Sequence, residues 1–224
     1  MAPEDRAPQD WAPEDRAPED PGSGRPGLRK TGLRNTQALE ESVTVPDLSI
    51  RLASRTDAAA LADLAADTFP LACPPSTTAE AIAAFIAANF TVERMTENLA
   101  DPDRTLLVAE EPDGHAVGYS MLVAGEPGDA DAATSVVARP AIELSKFYTR
   151  ALAHGSGVVA GPLMAATLEA AAATGAAAAW LGVNEENARA IRFYEKHGFA
   201  KVGHKHFRLG DRFEDDWVLE RPFD

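Results

Sequence analysis

The segment best suited to bind an anion is Gly155-Ser156-Gly157. It follows the apolar stretch AIELSKFYT, a predicted strand over 141–149, and precedes an alanine-rich segment that predicts a helix. Small residues let a ligand approach the backbone, and the unpaired amides and positive dipole end of a helix favour a phosphate or pyrophosphate. The glycine spacing fits neither a dinucleotide-binding fingerprint nor a P-loop. A strand-to-helix turn without a ligand would have the same composition.

A second group of residues lies about 30 positions later, after the short apolar stretch AAWLGV. An N-x-x-A-x-x-x-Y-x-x-x-G-F pattern is matched by Asn187, Ala190, Tyr194, Gly198 and Phe199. Together with the glycine segment, this pattern resembles the GNAT superfamily of acyl-coenzyme A dependent N-acetyltransferases. The resemblance covers Ser49 to about Phe223. It implies transfer of an acetyl group from acetyl-coenzyme A to a primary amine of a small molecule or peptide, by direct attack in a ternary complex.

The same resemblance implies where acetyl-coenzyme A binds. The family signature (Arg/Gln)-x-x-Gly-x-(Gly/Ala) falls on His154 to Val159, where Gly157 matches and the two end residues depart from it. The loop amides would hold the pyrophosphate, and the preceding strand and Asn187 would contact the pantetheine arm. The implied cofactor-binding residues are Phe147, Tyr148, Thr149, His154, Gly155, Ser156, Gly157, Val158, Val159 and Asn187. From its position alone, Asn187 is equally well explained as a helix N-terminal cap.

Two residues are catalytic candidates on this resemblance. Glu143 lies six residues before Thr149, the interval that separates the general base from the strand end in the histone acetyltransferase branch of the superfamily. Tyr194 resembles the family tyrosine that faces the thioester sulfur. The alternatives are a strand glutamate in a structural hydrogen bond or salt bridge, and a core aromatic on a helix face.

The elements that must position these residues are predicted in the order βααβββαβαββ. This order indicates one α+β domain. The resemblance implies that the domain has the GNAT-like fold, a central mixed, mostly antiparallel sheet flanked by helices. The stretches TLLVAEE and AVGYSMLVA predict a hairpin. The first helix is expected to end at Pro70, and Thr77 followed by Glu80 predicts a capping box that opens the second. An acidic loop is expected after the hairpin.

Composition limits the partners of the chain. Its 224 residues include 21 Lys plus Arg and 35 Asp plus Glu, a net charge of −14. Such a charge repels nucleic acid and anionic membranes, so neither is an expected partner. No signal peptide or bilayer-spanning apolar run is recognised, which predicts a cytoplasmic protein. Residues 1–46, which begin with APEDR-type repeats, are expected to form a disordered, proline-rich acidic tail before a domain over 47–224.

Other reactive side chains carry less information. His204 and His206 share one face of a predicted strand but have no third ligand nearby, so no metal is expected. Cys73, the single cysteine, is expected to be a structural thiol. The resemblance is compatible with a homodimer. A rival hypothesis is a non-catalytic acyl-coenzyme A binding regulatory module, because His154 and Val159 depart from the family signature.

Overall fold

The computed structural model describes residues 48–73, 77–150, 158–209 and 212–223, with side chains for all of these except 207–209 and 212–214. The predicted tail over 1–46 and the predicted loop residues His154 to Gly157 lie outside the described residues. Seven strands form one sheet in the order β1-β2-β3-β4-β5-β7-β6. They are β1 (Ser49–Leu52), β2 (Arg104–Glu110), β3 (Ala116–Ala124), β4 (Ala141–Thr149), β5 (Ala178–Asn184), β6 (Ala200–Leu209) and β7 (Arg212–Pro222).

The helices cover both faces of this sheet. They are α1 (Ala58–Ala72), α2 (Ala79–Asn89), α3 (Val92–Ala100), α4 (Ala130–Ser135), α5 (Ala160–Ala173) and α6 (Ala188–Lys196). One hydrophobic core lies between the sheet and α5 and α6, and we call this side the α5 face. A second core lies between the opposite side and α1 to α3, the α1 face. Within the described ranges, every helix is too short or too polar to cross a lipid bilayer. The predicted α+β fold is confirmed.

The alternation of side chains along β4 decides which residues can meet. Leu144 and Phe147 belong to the core of the α5 face. The pairing of β4 with β3 shifts between these two residues, because Leu122 pairs with Leu144 whereas Met121 pairs with Lys146. Ser145 is therefore the extra residue of a β-bulge, which bends a strand and re-aims its side chains. As a result, Glu143 and Lys146 are consecutive side chains on the α1 face.

The first helix runs past the residue expected to end it. Helix α1 includes Pro70 and continues to Ala72, so the prediction of a stop at Pro70 was wrong. A proline inside a helix removes one backbone hydrogen bond. Here Phe69 and Ala72 are buried in the core of the α1 face, and Phe69 stacks on Phe85 of α2 with ring centroids 4.6 Å apart. This burial offsets the cost of the proline.

Two further predictions at helix starts were wrong. The cap of α2 is Thr78, whose hydroxyl accepts a hydrogen bond from the Ala81 amide, and Thr77 does not take this position. The expected acidic loop after β3 contains α4, whose cap Asp129 accepts a hydrogen bond from the amide of Ala132. By contrast, α6 ends near Gly198 as predicted. Gly198 has a φ of 88°, which glycine adopts without strain.

Candidate active site

Strands β4 and β5 separate at the middle of the sheet. They are the parallel pair of the described sheet, and their register extends only from Ala141 and Ala178 to Glu143 and Trp180. Beyond this point β4 continues to Thr149 and β5 continues to Asn184. The carboxyl ends of the two strands therefore border a wedge. In sheets with parallel strands, ligands commonly bind at such carboxyl ends.

The first turn of α5 is the nearest described segment to the predicted anion-binding loop. The helix begins at Ala160, directly after Val159, which makes no side-chain cap hydrogen bond. The first amides of a helix have no partner inside it, and they carry the positive end of the helix dipole. Pro162 lies in this turn, where a missing amide costs little. A Cβ at Gly161 would meet no atom of the described residues within 4 Å. This turn therefore combines open space with amide donors.

The residues predicted on β4 contribute mainly backbone to the wedge. The Phe147 ring packs on the α5 face against Phe193, with centroids 5.6 Å apart. The Tyr148 ring stacks on Tyr119 on the α1 face at 5.6 Å. At the end of β4, the buried hydroxyl of Thr149 has no hydrogen-bond partner among the described residues. Because both aromatic side chains belong to the cores, a ligand in the wedge would contact the backbone of these residues.

Asn187 caps a helix. Its side-chain oxygen accepts a hydrogen bond from the Ala190 amide at 2.9 Å, at the start of α6. This is the structural role that its position in the sequence predicts. Contact between Asn187 and a pantetheine arm stays a prediction.

Tyr194 and Glu143 lie on opposite faces of the sheet. Tyr194 is 1% exposed in the core of the α5 face, where its ring lies near those of Phe147 and Phe199. Glu143 is 5% exposed and lies on the α1 face, in register with Trp180. The indole nitrogen of Trp180 is buried without a hydrogen-bond partner among the described residues. The pairing of β4 with β5 ends at Glu143, so the wedge begins beside this residue.

A pair of buried charges on the α1 face was missed by sequence reasoning. The ammonium of Lys205 on β6 lies 3.2 Å from a carboxylate oxygen of Asp216 on β7, which is 1% exposed. The Lys205 side chain runs over Gly182 of β5, where a Cβ would lie 2.0 Å from Lys205 Cε. A glycine inside an otherwise apolar strand was the available signal, because it often marks a close approach.

The two predicted strand histidines have different neighbours. The His204 ring lies 3.8 Å from the Trp217 ring. His206 bonds Asp131 of α4 at 3.0 Å, and this contact raises the pKa of His206 and lowers that of Asp131. Within the described residues, no group of three His, Cys, Asp or Glu side chains could hold a metal ion. Cys73 is half-buried, and its thiol donates to the Phe69 carbonyl.

Comparisons with known proteins bear on this arrangement. A model of the acetyltransferase (GNAT) family matches residues 59–199. An uncharacterized N-acetyltransferase from Mycobacterium tuberculosis is 46% identical over 166 residues, which are 74% of this chain and 97% of that protein. The PaiA N-acetyltransferase of Thermoplasma acidophilum, crystallised in complex with coenzyme A, has a TM-score of 0.60 at 19% identity and covers 79% of this chain and 99% of its own. The yncA protein of Salmonella typhimurium, solved with its cofactor acetyl-CoA, has a TM-score of 0.52 at 21% identity, covering 80% of this chain and 95% of its own.

Proposed function

This chain belongs to the GNAT family of acetyltransferases, and we propose that it transfers the acetyl group of acetyl-coenzyme A directly to a primary amine of a small molecule or peptide. The observation that carries the proposal is the wedge between β4 and β5, with Tyr194 on one face and Glu143 on the other. An acyl donor that enters from the α5 face would meet an acceptor that enters from the α1 face. Both substrates would then be bound at once, without a covalent enzyme intermediate.

The residues present fit acetyl-coenzyme A. When bound, its thioester supplies an activated acetyl group. The amides of the first turn of α5, beside Gly161, suit a pyrophosphate. The buried Thr149 hydroxyl, which has no partner in the described structure, is available to a ligand in the wedge. The two solved structures named above support this choice, since they share the fold and hold coenzyme A or acetyl-CoA.

Glu143 would act as the proton acceptor for the incoming amine. An amine with a pKa of about 10.4 is neutral in only about one molecule in 2,500 at pH 7, which corresponds to about 4.6 kcal/mol. A carboxylate within reach of the ammonium, directly or through one water, removes this proton as the amine attacks. The position of Glu143 beside the point where β4 and β5 diverge supports this role.

Tyr194 would stabilise the sulfur that leaves. A thiol has a pKa of about 8.5 and a phenol about 10, so complete proton transfer from tyrosine to a thiolate is uphill by about 2 kcal/mol. A hydrogen bond from the phenol to the sulfur avoids this cost and still stabilises the developing negative charge. The packing of the ring against Phe147 and Phe199 would hold the hydroxyl in a fixed direction.

A screen of amines with acetyl-coenzyme A tests the proposed function. Release of coenzyme A and the mass of the acetylated product are followed for small amines, amino acids, polyamines and peptides, and thermal stabilisation by acetyl-coenzyme A is measured in parallel. We expect both stabilisation and an acetylated amine. Stabilisation without turnover on any amine would instead favour a non-catalytic acyl-coenzyme A binding module. If acetyl-coenzyme A neither stabilises the protein nor supports acetylation of any amine, the proposed cofactor site itself is contradicted.

A further inference from the structure

The carboxyl end of β4 is supported by a neighbouring strand on one side. Among the described strands, β4 pairs with β3 from Ile142 to Thr149, whereas its pairing with β5 ends at Glu143. Residues 144–149 therefore have a free edge toward the wedge. Such an edge keeps backbone N–H and C=O groups available to a ligand. It also lacks the hydrogen bonds that would fix the strand from that side.

Arg150, the residue directly after β4, fastens this end of the strand. Its amide donates to the Val117 carbonyl of β3 at 2.8 Å and so continues the pairing by one hydrogen bond. Its guanidinium reaches helix α1, where Nη2 lies 2.8 Å from a carboxylate oxygen of Asp63 and Nη1 bonds Asp67. Asp63 and Asp67 are four residues apart, so they lie on one face of α1. We call these three side chains the Arg150 cluster.

Helix α1 is a firm support for this contact. Its residues Leu61, Leu64 and Phe69 are fully buried in the core of the α1 face. The Arg150 side chain is 22% exposed, whereas Asp63 and Asp67 are 70% and 53% exposed. Ion pairs with exposed carboxylates contribute little to the stability of a protein. The Arg150 cluster therefore fixes the position of the end of β4 more than it stabilises the fold.

The charge of the Arg150 cluster distinguishes two roles for the arginine. An arginine near a phosphate-binding segment could bind the phosphate itself. Here one guanidinium faces two carboxylates, so the three side chains together carry a net charge of −1. Such a cluster offers no excess of positive charge to an anion. The geometry is that of a contact between β4 and α1 rather than that of a phosphate ligand.

We propose that Arg150 is a positioning residue for the acyl donor: by joining the end of β4 to α1, it holds the free edge of residues 144–149 where the backbone binds the pantetheine arm. The inference rests on the proposed function, since it takes the wedge as the site of acetyl-coenzyme A. Arg150 acts through the backbone of β4 and does not itself bind the donor. Asp63 and Asp67 then contribute to donor binding from outside the wedge.

The test measures the Kd of acetyl-coenzyme A by titration calorimetry in Arg150→Met and in the double variant Asp63→Asn/Asp67→Asn. Both should raise the Kd by at least about threefold, since weakening one hydrogen bond has an effect of this size. The triple variant should add less than about twofold to the larger of these losses, because all three side chains serve one contact. Arg55→Met, at an exposed arginine, is the control and should leave the Kd unchanged.

Two comparisons separate positioning from a direct charge effect. If Arg150 attracted the phosphates through its charge, removing the two carboxylates would tighten the binding of acetyl-coenzyme A, which is the opposite of our expectation. The second comparison uses S-acetylpantetheine, which lacks the pyrophosphate and the nucleotide. In Arg150→Met, kcat/KM for this truncated donor should fall by the same factor as for acetyl-coenzyme A, within about twofold. At saturating acetyl-coenzyme A, kcat should stay near the wild-type value.

The outcomes separate the inference from the proposed function. An unchanged or lower Kd in Asp63→Asn/Asp67→Asn would overturn the positioning role and leave the proposed function intact. A loss in Arg150→Met that is confined to acetyl-coenzyme A and absent with S-acetylpantetheine would also overturn it. If Arg150→Met is poorly folded in thermal melting, the double variant decides, because both of its positions are exposed. Absence of acetyl transfer by the wild type to every amine would overturn the proposed function together with the inference.

Discussion

Replacing Lys205 by methionine tests whether the buried charges on the α1 face stabilise the enzyme as a pair. The ammonium of Lys205 lies 3.2 Å from Asp216, and the aspartate side chain is almost completely buried. Lys205 reaches this position across Gly182, where no Cβ blocks its path. Methionine has a similar length and no charge. The substitution therefore keeps most of the packing and removes the cation.

The expected loss follows from the geometry. At 3.2 Å and an effective dielectric constant of about 20, the attraction between two unit charges is about 5 kcal/mol before the cost of desolvation. Removing one partner of a buried pair typically costs about 3–5 kcal/mol, because the other charge remains buried. The Lys205 side chain is 12% exposed, so water reaches part of it. We therefore expect Lys205→Met to lower the free energy of unfolding by about 3 kcal/mol at pH 7.

Urea unfolding of four proteins measures this loss. The wild type and Lys205→Met are compared with the double variant Lys205→Met/Asp216→Asn, and with Lys196→Met as an exposed-lysine control. The double variant should recover at least half of the loss, since neither charge of this pair remains, and the control should change stability by less than about 0.5 kcal/mol. A loss below about 1 kcal/mol in Lys205→Met, or no recovery in the double variant, would refute the reasoning.

Three further predictions concern other parts of the chain. Arg51 bonds Asp57 and lowers the pKa of that carboxyl, so its stabilising effect is present above the ordinary Asp pKa and is lost as the pH falls toward the lowered value. Because the Arg51 side chain is 40% exposed, Arg51→Met should cost about 1–2 kcal/mol at pH 7, and urea unfolding should show a smaller difference from the wild type at pH 3. Gly157→Glu should weaken acetyl-coenzyme A binding at least tenfold by titration calorimetry, since it adds negative charge where the pyrophosphate is expected, whereas unchanged affinity would exclude that loop as the site. A chain that starts at Asp47 should melt within a few degrees of the full-length protein and bind acetyl-coenzyme A equally well, and a large drop in its melting temperature would show that the preceding residues pack on the domain.

Local sequence patterns correctly predicted the elements that are determined by residues close together in the sequence. The hairpin of β2 and β3, the Asn187 cap and the end of α6 near Gly198 all depend on neighbours along the chain, and the structure confirms them. The prediction at Pro70 was wrong because burial of Phe69 in a distant core outweighs the local effect of the proline. Tertiary contacts of this kind are not visible in a short sequence window.

The candidate site was predictable only in part for the same reason. The resemblance pointed to Glu143 and Tyr194, yet it did not indicate that they lie on opposite faces, since that depends on alternation along β4 and on the place of α6. Lys146 also escaped notice. It lines one pocket with Arg104 of β2, and a β-bulge at Ser145 sets its direction. Pairing between distant strands must be known before these charges can be grouped.

The most direct test of the central claim is the pH dependence of acetyl transfer in the wild type, Glu143→Gln and Tyr194→Phe. If Glu143 takes the proton of the amine, kcat of Glu143→Gln should fall by about 10²- to 10⁴-fold near pH 7, with nearly unchanged affinity for acetyl-coenzyme A. The deficit should shrink as the pH rises and neutral amine accumulates. Tyr194→Phe should also be slow, but its deficit should persist up to about pH 10, where tyrosine ionises. Full activity of both variants across this range would contradict the account and leave catalysis to substrate positioning and backbone dipoles.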